Sequence, residues 1–311
     1  MATRIFCEAR SERAAADAGA ENGAAAILKP VETRAVVAFA SARGGVGKSA
    51  ICVNVAAALA MTGRKVAIVD ADLNSPGVLG MLRLKPLRRF APGEEIDPAS
   101  GPLGIRAVAS SQLADGEPVA FSFFETDDAA PPAPSLNGAR PLEVDYRATL
   151  RRLLAARFGP LDLMLIDLAS GLSQLHCLAE VVELAGVVMV TRPSEGAVRA
   201  THDALKFIAH DGIAVLGLIE NMSFFCCPSC GHRAEIFGHG GARAEAQRLG
   251  TEFLGEIPLQ LDIRTAADAG APITATEPDS HAAQAYTAIA RRLRDKLQSG
   301  THQAAPRIVI S

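Results

Sequence analysis

The sequence predicts an α/β fold, a mostly parallel sheet with helices on both faces, in a single domain. Three observations lead there. Short apolar, β-branched runs recur at 35–40, 66–69, 105–108, 163–166, 187–190 and 213–219, most of them separated by helical patterns, the alternation of a parallel sheet covered on both sides. Residues able to do chemistry stand at or just after the ends of those runs, at 42–49, Asp70, Asp167 and Asn221. In such sheets ligands bind at the carboxyl ends of the strands, so these residues are expected to converge. A chain of 311 residues with 49% hydrophobic content is also ample for one substantial core.

Residues 1–33 are rich in Ala, Gly and charge with little periodicity, so they read as a flexible leader, and the domain is expected to span 34–297. The first apolar run leads into Ala42-Arg43-Gly44-Gly45-Val46-Gly47-Lys48-Ser49, which opens a helix. Glycines at 44, 45 and 47 let successive backbone N–H groups, Val46 included, point at an anion. The helix start adds its positive dipole end, Lys48 a charge, and the Ser49 hydroxyl a ligand for Mg²⁺. This strand-loop-helix is a cradle for a nucleoside triphosphate. Ala42 stands where the pattern G-x-x-x-x-G-K-[ST] has its first glycine.

The run 66–69 ends in Asp70-Ala71-Asp72, two carboxylates at the end of a buried strand. Such a pair is costly unless it serves a metal or a base, or caps the next turn. Residues 114–141, with Asp127, Asp128 and prolines 131, 132, 134 and 141, read as an irregular insertion. A further strand, 163–166, ends in Asp167, and Gly171 follows four residues later. The run 213–219 leads into Glu220-Asn221-Met222-Ser223, where Asn221 either reads a ligand or caps a turn.

The cysteine loop, 223–238, carries Cys227-Pro228-Ser229-Cys230-Gly231. One C-x-x-C pair supplies two thiolates, whereas a 4Fe–4S cluster or tetrahedral zinc takes four ligands. A two-fold dimer supplies the missing pair. An intrachain zinc site completed by His232 and a metal-free pair are the alternatives. Cys226 reads as a bystander, Cys52 and Cys177 as buried apolar residues, and Cys7 is unassigned. Residues 298–311 form a tail after a basic helix.

A formal net charge of -3 offers no general case for nucleic-acid binding. No apolar run is long enough to span a bilayer, and the acidic, h-region-free start argues against secretion, so the expectation is a cytoplasmic protein that binds neither membrane nor nucleic acid.

These segments resemble the deviant Walker A family of MinD, ParA and Mrp ATPases. Ala42 to Ser49 is similar to K-G-G-x-G-K-[ST] with Arg43 in place of the lysine that reaches a partner subunit's nucleotide, and an arginine keeps that charge. Ala50 replaces the family's threonine, removing a hydroxyl donor worth about 1 kcal/mol. The resemblance implies that Asp72 orients the attacking water, Asp70 supports the metal shell and Asp167 holds Mg²⁺ through water. It implies that the Gly171 N–H meets the γ-phosphate and that Asn221 reads adenine, favouring ATP over GTP. The family's D-x-P-P-G is here Asp167-Leu168-Ala169-Ser170-Gly171, and loss of both prolines leaves this switch less constrained.

Cys227 to Gly231, Ile236-Phe237-Gly238-His239-Gly240-Gly241, Phe253 to Pro258 and Asp268 to Gly270 are similar to the Mrp-type iron–sulfur carriers within that family. That branch implies a homodimer whose Cys227 and Cys230 bridge a 4Fe–4S cluster for transfer to apoproteins. The competing expectations are a MinD- or ParA-like spatial switch and a degenerate nucleotide-binding regulator without useful turnover, the latter suggested by Arg43, Ala50 and the altered switch.

Overall fold

The computed structural model describes residues 33–84, 88–91, 93–113, 146–227 and 229–299. The expected leader (Thr33 apart), the insertion at 114–141 and the tail from residue 300 lie outside the described residues.

In chain order the elements are β1 (Thr33–Ser41), α1 (Lys48–Met61), β2 (Val66–Asp70), α2 (Val78–Met81), β3 (Ala99–Ser100), β4 (Arg106–Ala109), α3 (Tyr146–Leu154), β5 (Leu161–Ser170), α4 (Ser173–Val181) and β6 (Gly186–Thr191). They continue with α5 (Glu195–His210), β7 (Val215–Cys226), β8 (Arg233–Ala234), α6 (Gly241–Arg248), β9 (Phe253–Leu259), α7 (Leu261–Asp268), α8 (Ile273–Thr276) and α9 (His281–Gln298). All six expected strands form. The sheet runs β3-β4-β2-β5-β1-β6-β7-β8, with β9 also on β7. Its pairings are parallel except the short β3 on β4 and β8 on β7. The chain leaves β1 toward β2 on one side and returns with β6 on the other, so β1 is a switch point where strand order reverses and a crevice opens.

Each sheet face is buried under its own helices. One core joins Val36, Ala38, Val69 and Ile166 to Leu150, Leu153, Leu175, Leu178 and Leu205 of α3, α4 and α5. The other joins Val37, Phe39, Ile68 and Leu165 to Ile51, Val55 and Leu59 of α1 and to Tyr286, Ile289 and Leu293 of α9. The strands are apolar at consecutive positions because both faces are covered.

Helix α1 is nearly all apolar, and its one buried amide has a specific task. Asn54 Oδ1 accepts from Thr274 N at 3.2 Å and from Thr274 Oγ1 at 3.0 Å, while its Nδ2 donates to Ala50 O at 2.9 Å. The bond ties the helix that begins at Lys48 to α8. Asn54→Ala strands a buried N–H and hydroxyl on Thr274 and is expected to lower unfolding free energy by about 2 kcal/mol, read as a shifted urea midpoint at unchanged slope.

Two elements differ from expectation. Strand β7 does not stop at 219 but runs through Cys226, so the cysteine loop begins as strand, and β9 was not anticipated as a strand. The polar residues Glu220, Asn221 and Ser223 conceal the period, yet all three are buried and each has a hydrogen-bond partner. Among the described residues, no helix is long and apolar enough to cross a membrane.

Candidate nucleotide site and cysteine hairpin

Strand β1 ends at Ser41 and α1 starts at Lys48, so residues 42–47 form the loop between them at the switch point. Gly45 and Gly47 have φ of 70° and 79°, in the left-handed region that only glycine enters without strain. Lys48, 7% exposed, makes an ion pair with Asp167, which is fully buried. Register explains the meeting, because Asp167 of β5 pairs with Phe39 of β1 on one side and with Asp70 of β2 on the other. The expected site residues at strand ends are therefore brought together.

The electrostatics follow from burial. Burial pushes the Asp70 carboxyl up to about 7, helped by the Asp167 carboxylate, while the N–H groups of Val78 and Asp72 pull the other way. Burial likewise raises Asp167, opposed by the Lys48 ammonium and the Ser49 hydroxyl. Asp167 Oδ2 is buried with no hydrogen-bond partner. An orphaned carboxylate oxygen beside a serine hydroxyl is a donor set that suits a hard divalent cation.

Asp70 and Asp72 are engaged locally. Asp70 Oδ2 accepts from Val78 N at 2.9 Å, at the start of α2, and Oδ1 from Asp72 N at 3.2 Å. Asp72 Oδ1 accepts from Asn74 N and Ser75 N, both at 2.9 Å. Both thus do the capping work that the sequence left as an alternative to metal or base chemistry.

Gly171, φ 95°, donates its N–H to Ser41 O at 2.8 Å, so the phosphate contact expected of it requires that bond to break. The switch without prolines is held by Gln174, whose Oε1 accepts from Ala169 N at 2.6 Å. The sequence reading missed Gln174, because a glutamine in a helical pattern carries no signal of that role. Arg43 is exposed and lies beside Gly196 in the first turn of α5, where an added Cβ would meet its Nη1 at 3.4 Å. Ala50, in the first turn of α1, is half-buried.

Asn221 has an unanticipated contact. Its Nδ2 donates to Val46 O at 2.7 Å, clamping the loop from β7. A Cβ on Gly47 would stand 2.2 Å from that same nitrogen. Gly47→Ala would also incur about 1–2 kcal/mol for left-handed backbone. Calorimetry is expected to show ATP affinity at least about tenfold weaker, and unchanged affinity would mean that the clamp is not part of the binding-competent loop.

The cysteine pair sits on a hairpin made by β7 and β8, with Phe225 opposite Ala234 and Cys226 opposite Arg233. Cys227 N donates to His232 O at 2.9 Å and Gly231 N to Cys227 O at 2.8 Å, closing the turn. The N–H groups of Ser229 and Cys230 aim at the Cys227 sulfur, and with the Cys230 side chain they hold its thiol below the ordinary range. Cys230 is exposed and Cys227 half-buried. Among the described residues, no third His, Cys, Asp or Glu completes a ligand set with this pair, His232 included. Among the described residues, the one such set is Glu220, His239 and Glu256 at the hairpin's base. There the Arg233 guanidinium stands 3.7 Å from Glu256 and 3.4 Å from His239, supplying the positive charge itself. Cys52 is buried, as anticipated, whereas Cys177 on α4 is only half-buried.

The profile of the family described as "ParA: NUBPL iron-transfer P-loop NTPase" matches residues 32–122 and 146–294. An iron-sulfur cluster carrier protein of Methanocaldococcus jannaschii is 33% identical over 269 residues, covering 84% of this chain and 84% of that protein. The mouse iron-sulfur cluster transfer protein NUBPL is 32% identical, covering 87% and 80%. Among solved structures, an Archaeoglobus fulgidus nucleotide-binding protein in complex with ADP aligns with a TM-score of 0.62 and 28% identity over 77% of this chain and 88% of that one. MinD of Pyrococcus horikoshii, complexed with Mg-ADP, also reaches 0.62, over 86% and 98%; at 20% identity it bears on the fold alone.

Proposed function

Because the chain belongs to the ParA/NUBPL family of iron-transfer P-loop NTPases, we propose that it is a Mg²⁺-dependent ATPase that, as a homodimer, carries an iron–sulfur cluster to apoproteins. The observation that carries this reading is the hairpin, where two preorganised thiols, one of them exposed, form half of a four-thiolate set. A second copy related by a two-fold axis contributes the other half. The cluster is cargo, and exposure is what transfer to a client requires.

Against Asn221 of β7, the loop N–H groups of 44–48 and the Lys48 ammonium hold the phosphates, and Ser49 with Asp167 would hold Mg²⁺, which supplies charge neutralisation on the transferring phosphoryl group. For Lys48 to reach phosphate it must leave Asp167, freeing that carboxylate for the cation. Asp72 orients the attacking water once its Asx turn opens, Asp70 supports the metal shell, and Arg43, exposed on the loop, reaches the partner's triphosphate. Asn221 has a carbonyl oxygen and a second N–H left for adenine.

The test is anaerobic reconstitution with iron and sulfide, followed by metal analysis. Roughly four iron and four sulfide per dimer support the bridging cluster; one zinc per monomer, retained on dilution, replaces it with a structural site. The regulator reading keeps a place because Asp72 Oδ1 and the Gly171 N–H, both assigned to hydrolysis, are engaged with backbone partners. ATPase activity no higher than background in the cluster-loaded protein would favour it.

A further inference from the structure

The nucleotide loop and the cysteine hairpin share one strand, and the backbone between them is bent out of strand geometry. Asn221 of β7 bonds Val46 O of the loop, 175 positions away. The next residue, Met222, has φ of 55°, a left-handed value that a long side chain takes only where its surroundings impose it. The Met222 methyl lies 3.8 Å from where a Cβ of Gly47 would stand, so both residues close on the same loop glycine. Register between β7 and β9 shifts between Asn221 and Phe225, across the bend.

The bend is latched on both sides. Upstream, the buried Glu220 carboxylate accepts from Gly240 N at 3.1 Å and Ala242 N at 2.8 Å, fixing β7 to the start of α6. Downstream, Ser223 Oγ donates to Glu220 at 2.6 Å. Beyond Ser223 the strand pairs at Phe225 with Leu259 of β9 and, at Phe225 and Cys226, with the two-residue β8, and Cys227 follows at once. Rotation at Met222, with release of the Phe225–Leu259 pairing, therefore turns the hairpin while the sheet up to Glu220 stays in place.

We infer that Asn221 is a positioning residue that couples nucleotide occupancy of the loop to the accessibility of Cys227, acting through the bent backbone at Met222. The inference rests on the reading of Cys227 and Cys230 as cargo ligands. When nucleotide moves the Val46 carbonyl or takes the Asn221 amide, the Asn221–Val46 bond opens, Met222 relaxes toward extended φ and the hairpin reorients. Coupling of this kind is reciprocal, so ligation at the cysteines also biases the loop. A thermodynamic link needs no contact between the two sites, only an element with two arrangements that both bias.

The experiment uses the reduced, metal-free full chain, with N-ethylmaleimide labelling of Cys227 followed by peptide mass spectrometry, with and without Mg²⁺ and a non-hydrolysable ATP analogue. In the wild type the analogue is expected to raise the Cys227 rate by about fivefold or more. Asn221→Ala, unlatched, should label without nucleotide at the rate the wild type reaches with it. Met222→Gly keeps the latch but removes the strain that drives reorientation, so both its rates should stay at the nucleotide-free wild-type value while calorimetry still shows analogue binding. General loosening of the fold would move both variants the same way, and these two are expected to move apart. If Asn221→Ala proves unfolded by circular dichroism, Met222→Gly decides alone. A wild-type rate indifferent to nucleotide, no analogue binding by the wild type, or a Met222→Gly protein as responsive as wild type overturns the inference. No iron enters this assay, so a protein that responds here yet retains no cluster on reconstitution keeps the coupling and loses the cargo assignment.

Discussion

Serine at Cys227 or at Cys230 is expected to take bound iron from roughly four per dimer to near zero while ATP binding persists. Each replacement removes two of four ligands from a two-fold site, and the harder serine oxygen is a poor ligand for iron–sulfur centres. The hairpin makes the two positions unequal. Cys227 receives the N–H groups of Ser229 and Cys230, which hold its thiol below the ordinary range, whereas Cys230 is exposed. Cys230→Ser therefore leaves the acidified thiol behind, and Cys227→Ser removes it. Cys226→Ser, one residue earlier on β7, should retain iron, since its partner in the hairpin is Arg233 and adjacent residues cannot easily ligate one compact centre. Iron, sulfide and zinc per dimer after anaerobic purification, beside ATP calorimetry on the same samples, read all three variants. Iron retention in both Cys227→Ser and Cys230→Ser would sink the assignment.

Lys48→Ala is expected to weaken ATP binding by at least about a hundredfold, about 2.7 kcal/mol, because Lys48 is the cation built into the phosphate cradle. It also removes the partner of a fully buried carboxylate. With Asp167 Oδ2 already unpartnered, truncation leaves the buried carboxylate with no cation and only the neighbouring Ser49 hydroxyl, and breaking such a buried pair costs about 3–5 kcal/mol of stability, less to the extent that Asp167 takes up a proton. A weakened fold and a lost ligand contact are separable with the double variant Lys48→Ala/Asp167→Asn. Removing the charge at 167 should restore much of the urea midpoint and none of the ATP affinity. Wild-type affinity in either protein, folded by circular dichroism, would refute the phosphate-cradle assignment.

The sheet was legible because its strands are covered on both faces and therefore read as unbroken apolar runs. The phosphate loop was legible because glycine spacing, lysine and serine are local in sequence. What stayed hidden is non-local. No spacing rule links Asn221 to Val46 or Asn54 to Thr274, since each bond joins positions that only the fold brings together. The last part of β7 was hidden for a related reason. Its polar residues look like a loop until the partners of Glu220, Asn221 and Ser223 are known. Asp70 and Asp72 illustrate the opposite limit, where the residues were found but one sequence pattern serves either a metal shell or a pair of caps.

The length of β7 has a consequence for how this chain can vary. Past the bend at Met222, where Phe225 and Cys226 pair with β8, side chains again alternate faces, so inserting or deleting one residue at 224–226 would turn Cys227 to the opposite face of the hairpin. Substitutions at Phe224 or Phe225 change packing by degrees, but a change of length there has no small version. The interval is a fixed ruler, so homologues able to exchange fuel-site and cargo-site segments with this chain should be those that match it residue for residue across that stretch.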